Sequence, residues 1–256
     1  MSDAVRYEAH SGRATITLDR PEAKNSLGPE LVDQLAGHLE RAMGDDGVRV
    51  VVLTNTGNTF CAGADLKATR PGPAVGPEVD RRDFVDVFEL MQGGAKPVVG
   101  RIAGHCTGGG VGLAAACDIS VVASDALIGF TEVRIGVAPA IISVVVLPKL
   151  RRADALELFL TGKRLPAARA VEVGLLNQVC EPGELDTAVD EVVADLAAGG
   201  PNALTAAKSM IFDVPGRPRA EAFAEMSELS GRLFRSEEAA AGIAAFRERR
   251  PAPWVP

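Results

Sequence analysis

Short apolar runs open the chain. Residues 5–9 and 14–18 flank Ser11-Gly12, which predicts two strands joined as a hairpin. Asp19-Arg20-Pro21 breaks the pattern, and a loop follows through Gly28. Pro29 suits a first helical position, where its missing N–H is no loss. Behind it Leu31, Val32, Leu35, Leu39 and Met43 make an apolar stripe at helical spacing until Gly44-Asp45-Asp46-Gly47 stops it. Residues 48–54 (VRVVVLT) then form a nearly continuous β-branched run, and residues 97–102 (PVVGRI) and 118–123 (DISVVA) read the same way. A strand buried on both faces has this composition. Each is followed by a loop of small residues or by a helix, and this repeated order predicts an α/β fold with right-handed crossovers.

Between the first two buried strands, residues 70–76 (RPGPAVG) are rich in Pro and Gly and predict a mobile loop. The helix expected over residues 80–91 places Phe84, Val87, Phe88 and Met91 on one face. From Ala153 the chain is nearly all helical pattern, with helices expected over 153–160, 167–173, 185–198, 202–212, 220–233 and 237–249. This shift is the main organisational boundary, and Gly199-Gly200-Pro201 is a second hinge. The expected division is an α/β core over residues 1–195 and a helical region over 196–256. No short repeat is visible.

The chain has 256 residues, enough for one large domain whose core needs no disulfide or metal staple. Aromatic residues are only 4% and the formal charge is −7, which argues against base-stacking surfaces and phosphate-coated polymers such as nucleic acids. The four cysteines, Cys61, Cys106, Cys117 and Cys180, are far apart, form no C-x-x-C pair and read as reduced thiols. The start, MSDAVRYEAH, lacks a leader pattern, and the longest apolar stretch, residues 135–147, is interrupted by Pro139 and Ser143. A soluble, cytoplasmic protein without a membrane partner is expected.

Several chemistries fail on spacing. A dinucleotide fingerprint starting at Gly108 needs glycine where Leu113 stands, and a P-loop needs Lys where Val111 follows Gly110. There is no G-x-S-x-G elbow and no H-E-x-x-H, and three scattered histidines do not build a metal centre. Two glycine-bearing loops survive: Phe60-Cys61-Ala62-Gly63-Ala64-Asp65-Leu66-Lys67, and Gly104-His105-Cys106-Thr107-Gly108-Gly109-Gly110 running into a helix. Small residues let a ligand approach the main chain, and a helix N-terminus favours negative charge. Two converging N–H groups would form an oxyanion hole. Tight helix–sheet packing explains the glycines of either loop taken alone equally well.

Taken together, the loops resemble the crotonase (enoyl-CoA hydratase/isomerase) superfamily. RPEAKNSL at residues 20–27 is similar to its CoA-contacting loop, and FCAGADLK at 60–67 to its most specific motif. GHCTGGGVGLAAACDISVVAS at 104–124 resembles its second glycine loop, and FTEVRIGVAPAIISVVVLPKL at 130–150 the segment with its acid/base glutamate. LTGKRLPAARAVEVGLLNQV at 160–179 and AFRERRPAPW at 245–254 are also family-like. The resemblance implies an α/β spiral of β-β-α turns with a helical C-terminal region that assembles as trimers or hexamers. It implies an acyl-CoA thioester substrate and no cofactor beyond the coenzyme A that this substrate carries. By the same resemblance, Ala64 and Gly109 would donate to the thioester oxygen and Glu132 would be the acid/base. Ala23, Lys24 and Ser26 would face the CoA chain; Ala62, Asp65, Leu66, Lys67, Gly108 and Gly112 would line the acyl-CoA path.

The sequence departs from the family's hydratases at one position. They carry a second glutamate just after the second glycine loop, where this chain has Gly112, as does a bacterial subgroup. With no side chain there, open space is expected. Glu132 would then support a slower hydration, or move one proton between α- and γ-carbons, or the space would admit a bulkier acyl group or a hydrolytic water. A non-catalytic acyl-CoA-binding member of the fold would keep Ala64 and Gly109 but needs no carboxylate. For Glu132 the structural alternative is a salt bridge with Arg134. His105 reads as a hydrogen-bonded structural histidine, Cys61 and Cys106 as packing residues. Asp65 reads as the cap of a helix beginning near Leu66.

Overall fold

The computed structural model describes residues 3–66 and 82–255. Strands β1 (Val5–His10) and β2 (Arg13–Leu18) form the predicted antiparallel hairpin, with Val5 opposite Leu18. Ser11 and Gly12 turn it with φ of 49° and 80°, the left-handed pair that a two-residue loop requires. Helix α1 (Pro29–Gly44) buries Leu31, Val32, Leu35 and Leu39, the stripe read from spacing.

The chain then winds as a spiral in which each turn lays one strand in each of two sheets. The turns are β3 (Val50–Asn55) with β4 (Thr59–Cys61), then, after helix α2 (Phe84–Gly93), β5 (Val98–Ile102) with β6 (His105–Thr107). Helix α3 (Gly109–Ala116) leads to β7 (Ile119–Ala123) with β8 (Leu127–Gly129). Helices α4 (Ala140–Val146) and α5 (Arg152–Thr161), strand β9 (Arg164–Pro166), helix α6 (Ala167–Glu172) and strand β10 (Gln178–Cys180) follow. The long sheet runs β1-β2-β3-β5-β7-β10, parallel beyond β2, and the short one β4-β6-β8-β9. Helices α7 (Leu185–Ala198), α8 (Pro201–Asp213), α9 (Arg219–Phe234) and α10 (Glu237–Glu248) complete the chain.

Alternation along β3 shows why its run is continuously apolar. Val51 and Leu53 join the main core with α1, α2 and α3, while Val50 and Val52 pack with Val99, Val121 and α7 on the other face. Among the described residues no helix is long and apolar enough to cross a membrane.

Two expectations need correction. The chain beyond Ala153 is not all helical, because β9 closes the short sheet against β8 and β10 closes the long one against β7. Each is three residues long, too short to show alternation. The helix expected from Asp80 begins at Phe84, because Asp83 caps it: its side chain accepts from the N–H groups of Val85 and Asp86 at 2.7 and 3.1 Å. The loop expected over residues 70–76 lies outside the described residues.

Candidate active site

The site forms just beyond the C-terminal ends of β4, β6 and β8, neighbouring strands of the short sheet. Ala23 closes a short turn, and Lys24 and Asn25 then take left-handed φ of 52° and 50°. Asn25 is fully buried. Its side-chain oxygen accepts from Arg20 N–H at 2.7 Å, and its amide donates to the Thr56 and Thr59 carbonyls at 3.1 and 2.8 Å. The loop carrying Ala23, Lys24 and Ser26 is thereby pinned beside the end of β3. No local sequence signal singles out Asn25, because the carbonyls that its amide bonds lie one spiral turn away.

That loop pairs with the first glycine loop. Ala62 N–H donates to Lys24 O at 3.0 Å, Leu27 N–H to Gly63 O at 2.8 Å, and Asp65 N–H to Leu27 O at 3.3 Å. These bonds make Leu27 and Ala64 a parallel bridge. Because Gly63 and Asp65 face Leu27, the N–H of Ala64 points to the opposite side, and Ala64 is exposed there. Asp65 sits beside Gly28 at the start of α1; the helix it was expected to cap, from near Leu66, falls outside the described residues. Leu66 is exposed, and Lys67 lies outside the described residues.

The second glycine loop meets the first at backbone distance. A Cβ on Gly63 (φ 83°) would stand 2.8 Å from Thr107 O and 3.1 Å from Gly109 N. One on Gly110 would stand 2.2 Å from Cys61 O. Glycine is therefore what lets the two loops touch. The Gly108 N–H donates to Gly129 O at 3.0 Å, and Gly109 begins α3, so its N–H has no carbonyl one turn earlier to bond.

Glu132 reaches this junction from the other side. It starts a short helical turn that Gly136 closes, with φ of 79°. Its Oε1 lies 3.3 Å from where a Gly108 Cβ would be, and Gly63 Cα lies 3.8 Å from the same point. Among the described residues, its Oε2 is buried without a hydrogen-bond partner. Burial pushes the Glu132 carboxyl above the usual carboxylate range, opposed only by its own backbone N–H. The Arg134 salt bridge is not formed. Arg134 instead donates to the Gly162 and Thr161 carbonyls at 2.9 and 3.1 Å, at the C-terminal end of α5. His105 accepts from Leu127 N–H at 3.0 Å and serves the short sheet. Burial raises the Cys61 thiol to about 12 and the Cys106 thiol well above its ordinary value, so neither is an activated nucleophile.

The open space expected at Gly112 is absent. An added Cβ would stand 2.4 Å from Ile142 Cγ2, 2.9 Å from Ile142 Cβ and 3.0 Å from Phe88 Cζ. Helix α4 fills the position that a missing side chain leaves, as close-packed interiors do. Phe88 was visible in the sequence as part of an apolar stripe; Ile142 carried no signal beyond its hydrophobicity.

Residues 8–255 match the family model described as enoyl-CoA hydratase/isomerase. The chain is 32% identical over 248 residues to the (E)-benzylidenesuccinyl-CoA hydratase of Thauera aromatica, covering 96% of each. A crystal structure of enoyl-CoA hydratase from Mycobacterium tuberculosis H37Rv superposes with a TM-score of 0.88 at 35% identity, over 99% of each chain. One of an enoyl-CoA hydratase/isomerase from Marinobacter aquaeolei gives 0.91 at 27% identity, again over 99% of each.

Proposed function

Because the chain belongs to the enoyl-CoA hydratase/isomerase family of enzymes, we propose that its active centre is the meeting point of Ala64, Gly109 and Glu132. The substrate is an acyl-CoA thioester. Its carbonyl oxygen accepts from the N–H groups of Ala64 and Gly109, which stabilise the charge that develops as an enolate forms. Glu132 is the single acid/base group. Ala23, Lys24, Ser26, Ala62, Asp65, Leu66 and Gly108 line the approach. The observation that carries this reading is the Glu132 carboxyl, half-buried and with one oxygen unpartnered, beside the two glycine loops. A non-catalytic acyl-CoA binder has no use for such a group.

Hydration is the leading reaction. Proton relocation within the acyl chain is the second reading, favoured by Ile142 standing where a second carboxylate would be. Glu132→Gln preserves shape and removes the basic oxygen. Turnover of a panel of CoA thioesters, read by mass spectrometry of products, should fall about 10²–10⁴-fold with little change in affinity. Full turnover in the folded variant would show that the chemistry sits elsewhere.

The helical region over residues 196–256 is proposed to hold copies together as a trimer or hexamer. Exposed Ile211, Phe223, Phe234 and Phe246 support this, because such apolar surface calls for a covering partner. Light scattering that found a stable monomer at micromolar concentration would overturn it.

A further inference from the structure

The short turn that carries Glu132 buries none of its residues, so core packing alone does not fix it. Its own bonds are few: the Arg134, Gly136 and Val137 N–H groups donate to the Thr131, Val133 and Glu132 carbonyls at 3.1, 3.4 and 3.2 Å. About three residues make one turn of such a helix, so side chains two positions apart leave it on different faces. Glu132 reaches Gly108, while Arg134 reaches the end of α5. There its Nε and Nη2 donate to the Gly162 and Thr161 carbonyls at 2.9 and 3.1 Å. Carbonyls at a helix C-terminus lack helical partners and sit at the negative end of the dipole, and a planar guanidinium holds two acceptors in a fixed fork. Gly162, buried with φ of 60°, packs on the same side chain. A Cβ there would stand 3.0 Å from Arg134 Cγ and Nε and 3.1 Å from Val133 Cγ2.

The same corner reaches the other half of the site. From α5 the chain runs into β9, where Arg164 pairs with Gly129 of β8. A Cβ on Gly129 would stand 2.8 Å from Arg164 Cγ and 3.3 Å from Lys163 O. The Gly129 carbonyl in turn accepts from Gly108 N–H at 3.0 Å. One corner of the fold thus touches both the turn that carries Glu132 and the strand end that holds the glycine loop. We propose that Arg134 is a positioning residue, which fixes the Glu132 carboxyl against the glycine loop by locking its turn to the α5–β9 corner. The inference rests on the assignment of Glu132 as the acid/base group above, and it applies to either reaction considered there. A carboxyl displaced by about 1 Å loses about 10²-fold in rate while the substrate still binds.

The test measures kcat, KM and pH profiles of folded variants, with crotonyl-CoA for hydration and a 3-enoyl-CoA for proton relocation. Arg134→Met removes the fork, and kcat should fall about 10–10²-fold with little change in KM. Arg134→Lys keeps the charge without the fork and should recover part of the loss. Gly162→Ala presses on the same contact from the helix side and should reproduce the split. These two variants decide the matter if Arg134→Met does not fold. The pH profile is a readout that a merely structural role would not move. Burial raises the Glu132 carboxyl, and among the described residues no charged side chain contributes. A loosened turn lets water reach the carboxyl, so the limb that it governs should move down toward its ordinary value of 4.5. Loss of a neighbouring cation alone would move that limb up. Unchanged kcat in the folded Arg134 and Gly162 variants, or an upward limb, with turnover abolished in Glu132→Gln, overturns the role of Arg134 alone. Turnover intact in Glu132→Gln overturns the underlying assignment instead.

Discussion

Two carboxyls lie at opposite ends of α3, and their surroundings differ in kind. Asp118, just past the helix, accepts from Lys208 Nζ at 2.8 Å and from Val98 N–H at 2.7 Å. Lys208, almost fully buried, also donates to the Lys96 carbonyl at 3.0 Å and to that of Met91. Glu132, at the helix start, leaves one buried oxygen without a partner. Burial is the first cause raising both acids above their ordinary range. For Asp118 the Lys208 cation opposes it; for Glu132 no cation does. The same desolvation is thus answered by pairing at one end, where α8 is tied to the sheet, and left standing at the other, at the proposed active centre.

The comparison breaks most readily at the paired end. Lys208→Met strands the Asp118 carboxylate and should cost about 3–5 kcal/mol of stability at neutral pH, measured by chemical denaturation. A loss well under 1 kcal/mol would mean that the pair is not what holds α8 in place.

A smaller effect of opposite sign belongs to the unpaired end. Because the folded protein raises the Glu132 carboxyl above its ordinary value of 4.5, its ionised form is disfavoured by folding. The stabilising contribution of the acid is full below the ordinary value and is lost as pH rises through the raised one. Glu132→Gln should therefore have a slightly higher Tm than wild type at neutral pH, with the difference fading as the pH falls below the ordinary glutamate range. A lower Tm at neutral pH would show that Glu132 is held by a stabilising interaction after all.

Much of this arrangement is legible in the chain. The α1 stripe and the β-branched run of β3 are local patterns, and the structure follows them. Of the loop glycines, Gly63 and Gly110 stand where an added Cβ would meet the other loop's backbone within 3 Å, while Gly109 faces the Leu27 side chain and Gly108 holds a left-handed φ of 55°. Less visible were Asn25, whose buried amide joins two turns of the spiral, and Ile142, which turns an expected opening into a wall. Both act through partners distant in sequence.

By itself the sequence determined the elements long enough to display a period, the two glycine loops and the presence of one glutamate where the family's acid/base stands. Hydrophobic period and glycine placement are properties of neighbouring residues, so they survive in one dimension. Only the tertiary structure decided the short sheet, since strands such as β4 and β6 are three residues each and exist only because the spiral stacks them. It alone decided that Asp118 is paired and Glu132 is not, and that Gly112 is covered. Those outcomes depend on which groups distant in the chain reach the same volume, and burial and pairing are set by that volume rather than by local sequence.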